Sequence, residues 1–110
     1  MKLPYRKSAY IPKAKLTAYL LSQTHAVGRF KSKYFHSLGY DESNVSLLEE
    51  SLRNVAQSQG VKEIIPTAYG TKYIIDGKIK TPSGRMVKVR TVWIIEEGQK
   101  RPRFITVYPV

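Results

Sequence analysis

The apolar positions in the first half of the chain recur at the spacing of amphipathic helices. Leu16, Tyr19 and Leu20 stand at i, i+3 and i+4 in "PKAKLTAYLLS" and predict a short first helix with its proline in the first turn. A second helix is predicted from Ala26 to Leu38, where Gly39 ends it. The apolar face of this second helix is formed by Val27, Phe30, Tyr34, Phe35 and Leu38.

A third helix is predicted in "GYDESNVSLLEESLRNVAQSQG", which Gly60 closes. Ser43 and Ser46 are both candidate N-caps, because each is followed by Glu49 or another nearby acid. The apolar stripe of the third helix consists of Leu47, Leu48, Leu52, Val55 and Ala56.

After the third helix the apolar period changes from 3.6 residues to 2, which indicates β-strands. "VKEIIPTA" predicts a strand that Pro66 either ends or restricts to the edge of a sheet. A hairpin follows, with strands around Tyr73–Lys80 and Met86–Glu96 joined through "TPSG". Asp76-Gly77 indicates either a bulge or a tighter turn inside the first arm. "RFITVYPV" predicts the last strand.

Alternation along the strands predicts which side chains share a face. In "MVKVRTVWII", one face should pack on the helices, while the face that carries Lys88 and Arg90 should be partly open. In the last strand, strict alternation puts Phe104, Thr106 and Tyr108 on one face.

The order of these elements predicts an α+β fold. Three N-terminal helices are expected to pack on one face of a roughly four-stranded antiparallel sheet, with the strands in sequence order. The 110 residues form a single domain, 1–110, because a chain of this length buries one core and not two.

The charge balance indicates a polyanionic partner. Nineteen Lys and Arg stand against eight Asp and Glu, which gives a net charge of +11, in a chain whose 42% apolar content is typical of globular proteins. The usual partners of such a positive field are nucleic acid, an acidic protein or an anionic membrane surface. The alternative is a basic domain with no polyanion partner.

Several functional classes are excluded by composition. The chain has no cysteine, so disulfides and thiolate metal sites are impossible. No carboxylates are spaced with His25 or His36 as a metal site requires, and Asp76 and Glu96 are expected near turns and solvated. We therefore expect no metal and no cofactor. Without an apolar span or a secretion signal, we expect a cytoplasmic location and no membrane, or else the detached C-terminal tip of a larger exported protein.

The stretch "SQTHAVGRFK" combines a helix start with residues suited to phosphate chemistry. His25 follows a candidate N-cap, and the positive end of the helix dipole favours its neutral, proton-accepting form. The same end offers free N–H groups to an anion, and Gly28 would allow a phosphate close to the backbone. The alternative is a histidine with a purely structural role.

Lys31 and Arg29 occupy opposite sides of the second predicted helix. Lys31 falls inside the apolar arc, where its stem either extends to the rim or faces a cleft beside the sheet. Arg29 lies on the solvated side, and we include it among the expected substrate contacts.

Basic residues and tyrosines alternate in the predicted strands. Tyr69 and Lys72 flank Gly70 at a strand entrance, and Arg90 lies on the open face of the hairpin. Phosphates bind to Lys and Arg while unstacked bases stack on aromatic rings, so this pattern favours RNA binding.

The segments "HAVGRFK", "YGTKY", "RTVWII" and "TVYP" resemble an uncharacterised family of small prokaryotic domains. Such domains are often encoded beside another small gene or placed at the C-terminus of toxin-like proteins. The order of helices and sheet further resembles the barnase/EndoU/colicin/RelE-like group of ribonuclease toxins, which act without a metal.

This resemblance singles out His25, Gly28, Lys31, Tyr69, Gly70, Lys72, Arg90, Thr91, Trp93, Thr106 and Tyr108. From the chemistry of the side chains we expect the catalytic residues to be His25, Lys31, Lys72, Arg90 and Thr106. We expect the substrate-binding residues to be Gly28, Arg29, Tyr69, Thr91, Trp93 and Tyr108.

The leading hypothesis is a toxin-type endoribonuclease that cleaves tRNA or mRNA by attack of the 2′-OH, with His25 as general base. Lys31, Lys72 and Arg90 would stabilise the transition state, and Thr106 and Tyr108 would position the phosphate. A small acidic antitoxin or immunity protein would cover the basic groove. The alternatives are a non-catalytic nucleic-acid-binding module and an adaptor that docks an acidic protein.

Overall fold

A computed structural model describes residues 1–16 and 29–110. The helices are α1 (Arg29–Ser37) and α2 (Val45–Ser58). The strands are β1 (Glu63–Thr67), β2 (Gly70–Lys80), β3 (Met86–Glu96) and β4 (Arg103–Pro109). The four strands form one antiparallel sheet in the order β1-β2-β3-β4. The α+β class and the four-stranded antiparallel sheet are therefore confirmed.

The helical part differs from the expectation of three helices. The described residues contain one long helix, the 14-residue α2, and the nine-residue α1. Residues 13–16 are helical, but the rest of the first predicted helix lies outside the described residues. Gly39 ends the second helix as predicted: its φ of 96° is left-handed, and Tyr40 N–H donates to the Phe35 carbonyl.

A capping box that the sequence pattern did not indicate lies just before α2, and neither Ser43 nor Ser46 is an N-cap. The Asp41 side chain accepts from Ser43 N–H at 2.7 Å, and the Asn44 side chain accepts from Asp41 N–H at 2.8 Å. This reciprocal pair begins the short 3-10 turn Glu42–Asn44 that leads into α2. Hydrogen bonds from Ser43 also hold the pKa of the exposed Asp41 carboxyl below its usual value.

The core lies between α2 and one face of the sheet. Leu48, Leu52 and Val55 of α2 are buried in the same cluster as Ile75 and Trp93. α2 lies close to β2 at Gly77, where a Cβ would lie 2.9 Å from both methyl groups of Val55. Gly77 thus allows α2 to lie directly on the sheet. It pairs in regular register with Val89, so the Asp76-Gly77 pair forms neither a turn nor a bulge.

β4 carries a register shift that changes which side chains share its faces. Val92 pairs with Thr106 but Trp93 pairs with Phe104, so Ile105 is an extra residue on β4. The predicted common face of Phe104, Thr106 and Tyr108 is therefore wrong. Phe104 is fully buried with the core, whereas Thr106 and Tyr108 lie on the opposite face.

The N-terminal segment lies along the outer edge of β4. Tyr10 N–H donates to the Pro102 carbonyl and Phe104 N–H donates to the Tyr10 carbonyl, each at 3.0 Å. This parallel bridge brings residues 7–11 next to the β3–β4 turn and to α2. Within the described part of the chain, no helix is long and apolar enough to cross a bilayer.

Candidate nucleic-acid interface

The sheet face opposite α2, here called the open face, carries most of the strand cations. The strand register places on this face Lys72, Asp76, Lys78, Lys88, Arg90, Thr106 and Tyr108. α2 covers the other face, so these side chains project from the layer that the core does not use. This arrangement agrees with the prediction of a partly open sheet face that carries Lys88 and Arg90.

Arg90 is held at the middle of the open face by Asp76. Arg90 Nε donates to Asp76 Oδ1 at 2.7 Å and Nη2 donates to Oδ2 at 2.9 Å, so the pair is bidentate. The Asp76 side chain is only 12% exposed, and Lys62 Nζ lies 3.6 Å from its Oδ2. The expectation of a solvated Asp76 near a turn is wrong, because the hairpin places Asp76 directly opposite Arg90 in mid-strand.

The charge states of this pair stabilise each other. The hydrogen bonds from Arg90 hold the pKa of the Asp76 carboxyl below its usual value, with a smaller contribution from Lys62. Those same hydrogen bonds raise the pKa of the Arg90 guanidinium, and Tyr108 adds a smaller effect in the same direction. Arg90 therefore stays cationic whenever the pair is intact.

Two further predicted residues lie beside Arg90. Tyr108 is its Cα partner on β4, and Thr106 follows on the same face opposite Val92. Lys72 shares the open face, but it pairs with Ile94, four residues from Arg90 along β3. At about 3.3 Å per residue this is roughly 13 Å along the strand direction. The structure therefore brings together Arg90, Thr106 and Tyr108, with Lys72 on the same face at a distance.

Thr91 and Trp93 occupy the core side of β3. Both are fully buried, and Thr91 Oγ1 donates to the Ile75 carbonyl at 2.7 Å while accepting from Trp93 Nε1 at 2.9 Å. The Trp93 ring packs edge-on against Phe104, with centroids 5.4 Å apart. Side chains in this environment do not reach a substrate on the open face, so we assign both residues to the core.

Tyr69 lies in the turn between β1 and β2 and is 80% exposed. The turn that carries Tyr69 needs glycine at position 70, because a Cβ there would clash with the Ile95 carbonyl oxygen. The ring is thus presented at the end of the sheet nearest to Lys72. An exposed tyrosine beside a lysine suits stacking of an unpaired base.

The remaining predicted residues belong to the region before and at the start of α1. His25 and Gly28 lie outside the described residues. Arg29 and Lys31 fall in the first turn of α1, where the structure describes the backbone alone. Their roles therefore stay predictions.

Sequence reasoning missed Asp76 as part of this cluster. A signal was available in the hairpin itself. Once "TPSG" joins the arms so that Lys80 faces Met86, counting back along both strands places Asp76 opposite Arg90. Among the described residues, no group of three His, Asp or Glu side chains is close enough to hold a metal ion.

The fold has a clear counterpart among solved structures. The chain superposes with a TM-score of 0.72 on a chain of a contact-dependent growth inhibition toxin–immunity protein complex from Klebsiella pneumoniae 342. The alignment covers 96% of each chain at 17% sequence identity, which is a likeness of fold. A search of curated proteins found no relative.

The sequence itself identifies the family. The chain belongs to the family described as "Domain of unknown function (DUF6883)", whose model matches residues 2–110.

Proposed function

We propose that this chain is the toxin-type member of a toxin–immunity pair and that it acts as a metal-independent endoribonuclease. The proposal is supported by the likeness of its fold to a chain of a toxin–immunity complex. Such a pair has two members, and the net charge of +11 favours the member that acts on a polyanion. A small acidic immunity protein would then bind the same basic face and block it.

The observation that carries the proposal is the cluster of Arg90, Tyr108 and Thr106 on the open face. A guanidinium has five N–H donors, and the bidentate pair with Asp76 uses one on Nε and one on Nη2. Three donors remain for phosphate oxygens and for the neighbouring Tyr108 hydroxyl. Asp76 thus orients Arg90 without neutralising its capacity to bind a phosphate.

The reaction is attack of a ribose 2′-OH on the adjacent phosphorus, which forms a 2′,3′-cyclic phosphate as the P–O5′ bond breaks; the leaving 5′-oxygen takes a proton from water and departs as a hydroxyl. His25 accepts the 2′-OH proton, and Arg90 and Lys31 stabilise the charge that develops on the phosphorane oxygens. The Thr106 and Tyr108 hydroxyls donate to the phosphate and orient it. No step needs a metal ion.

The flanking residues hold the rest of the strand. Lys72, farther along the open face, binds a neighbouring phosphate, and the exposed Tyr69 ring stacks on an unpaired base. Such a site acts on tRNA or mRNA and hence in the cytoplasm of the target cell. The chain is either synthesised in that cytoplasm or delivered to it as the C-terminal part of a larger exported toxin.

The test is cleavage of total RNA by the purified protein in EDTA. Wild type should give fragments that end in a 2′,3′-cyclic phosphate, and Arg90→Ala should cleave roughly 100-fold more slowly, the usual cost of one lost transition-state donor. His25→Ala should lose activity similarly. The matched control is Arg85→Ala, which removes an exposed arginine from the β2–β3 turn and should cleave like wild type.

Intact RNA, or equal rates for Arg90→Ala and Arg85→Ala, would contradict the proposal. Binding of RNA without cleavage would instead support a basic binding module. Expression in cells provides an independent measurement, since wild type should arrest growth and Arg90→Ala should not.

A further inference from the structure

A second basic site lies on the other side of the sheet, in a concavity between α2, the N-terminal segment and the β3–β4 turn. The concavity has a volume of about 400 Å³, and its side chains include Lys7, Tyr10, Glu49, Arg53 and Arg101. α2 packs on the face opposite Arg90, so this site, here called the α2 pocket, is separate from the open face. None of its residues belongs to the site proposed above.

The arginines of the α2 pocket have a different environment from the arginines of the open face. On the open face, Arg90 is paired with Asp76 and Arg103 with Glu96. In the α2 pocket, Arg53 forms no ion pair within 4 Å among the described residues, and its buried Nε atom has no hydrogen-bond partner there. Among the residues that the structure describes, three cationic side chains stand against one carboxylate in this pocket, which leaves it a net positive charge.

Arg101 is held in place by the N-terminal segment. Its guanidinium lies 3.8 Å from the centroid of the Tyr10 ring, and its Nε donates to the Ser8 carbonyl at 3.2 Å. The side chain is therefore oriented before a ligand arrives, which lowers the entropic cost of binding. The other face of the guanidinium and its Nη donors remain to receive a base or a phosphate.

The chemistry of the lining favours a nucleotide unit over a simple anion. Lys7, Arg53 and Arg101 supply donors for phosphate oxygens, whereas the Glu49 carboxylate accepts hydrogen bonds. A ligand with both phosphate oxygens and hydroxyl or amine donors satisfies both kinds of group. The volume also lies within the range of pockets that take small organic ligands.

We propose that the α2 pocket is a second binding site for RNA, which holds one nucleotide of the strand outside the cleavage site. This inference rests on the proposed action on RNA and adds an anchor remote from the reacting phosphate. An RNA that contacts both sites passes round the β4 edge, along which Tyr10 lies. The pocket then selects substrates that are long or folded enough to reach both faces.

The test measures binding rather than cleavage, so that failure of the pocket and failure of the nuclease activity are distinguishable. A fluorescent 2′-O-methyl RNA oligonucleotide, which lacks the attacking hydroxyl, is titrated against the full chain by anisotropy. The double variant Lys7→Gln/Arg101→Gln should raise the Kd at least 10-fold. The matched control Arg85→Gln/Lys100→Gln removes the same two charges from exposed turn positions and should change the Kd by less than about threefold.

Three outcomes decide the proposal. A Kd ratio above 10 between the pocket and control variants supports it, and the slope of log K against log salt should also fall by about 0.7 for one lost phosphate contact. Equal Kd values for the two double variants overturn it. Unchanged RNA binding combined with loss of binding to an acidic immunity protein also overturns it, and assigns the pocket to that partner.

A second ligand separates a free nucleotide from a nucleotide within RNA. Adenosine monophosphate at millimolar concentration should raise the Tm of wild type but not that of Lys7→Gln/Arg101→Gln if the pocket binds the unit alone. Equal shifts for the two proteins place the nucleotide elsewhere and count against the pocket. Because Lys7 and Arg101 are exposed, the double variant should fold, which its Tm without ligand verifies.

Discussion

At the scale of the residue, the Asp76–Arg90 pair shows why a guanidinium suits the open face. Asp76 accepts hydrogen bonds from two N–H donors of the planar Arg90 guanidinium and so fixes its plane. The remaining donors therefore point in a fixed direction. A lysine at position 90 would be a single point charge without that orientation. Asp76 is thus a positioning residue for Arg90.

The pKa of Asp76 gives this pair a definite pH dependence. The pKa of its carboxyl is lower in the folded than in the unfolded chain, so the stabilisation is present above pH 4 and is lost as the pH falls through the folded-state pKa. Asp76→Asn should therefore have a lower urea midpoint than wild type at pH 7, and the gap should shrink at pH 3.

The control for this measurement is Glu97→Gln, which changes an exposed carboxylate that has no ion pair in the described structure. Its midpoint should differ little from wild type at both pH values. A gap between Asp76→Asn and wild type that stays constant from pH 7 to pH 3 would show that the ion pair does not stabilise the fold.

At the scale of the element, the seating of α2 on β2 depends on one missing Cβ. The methyl groups of Val55 occupy the space that a side chain at position 77 would need. Gly77→Ala must therefore push the helix outward or force Val55 from its rotamer, and should cost about 1–3 kcal/mol in the free energy of unfolding.

The double variant Gly77→Ala/Val55→Ala tests that mechanism. Removing the two methyl groups should relieve the clash, so the double variant should be more stable than the sum of the two single changes predicts. Gly60→Ala is the control, since a Cβ there would meet only the Met1 carbonyl oxygen at an ordinary 3.6 Å. Strict additivity in urea unfolding would exclude steric coupling between the two positions.

The elements also show how far the sequence predicts this fold and its site. Period-2 alternation located the sheet and the β2–β3 hairpin, because one face of each strand is apolar and the other polar. It failed in β4, since alternation assumes no extra residue and nothing in "RFITVY" marks Ile105 as one. Chemistry and resemblance grouped Arg90, Thr106 and Tyr108 as site residues, and the register of β3 and β4 places them on one face. Identification of Asp76 as the partner of Arg90 also requires the register of β2 against β3.

The helical part was harder to predict for a physical reason. A capping box can be built from several Ser, Asp and Asn residues near one another, and "DESN" offers three of them for the same role. The structure selects Asp41 and Asn44, which cap the 3-10 turn Glu42–Asn44 just before α2. The prediction that Thr91 and Trp93 bind the substrate was wrong for a different reason. An aromatic ring and a hydroxyl in a basic strand resemble a binding pair, yet the hydrogen bond between these two side chains is buried in the core.

At the scale of the whole molecule, the net charge of +11 should control how RNA binds. Cations on the open face and in the α2 pocket release counterions when phosphates replace them. With about four phosphate contacts to a single strand, the affinity should fall roughly 50-fold between 50 and 200 mM salt. Anisotropy titration of the 2′-O-methyl oligonucleotide at several salt concentrations measures this slope. A flat dependence would show that the positive charge does not serve RNA binding.

The extra residue in β4 has a consequence for how this sequence can change over time. Ile105 resets the alternation, so that Phe104 and Val107 both enter the core while Thr106 and Tyr108 both reach the open face. A one-residue deletion in this strand would not merely shorten it. On one side of the deleted position, residues that face the core would face the surface and the reverse. We therefore expect β4 to tolerate substitutions far more readily than changes in its length.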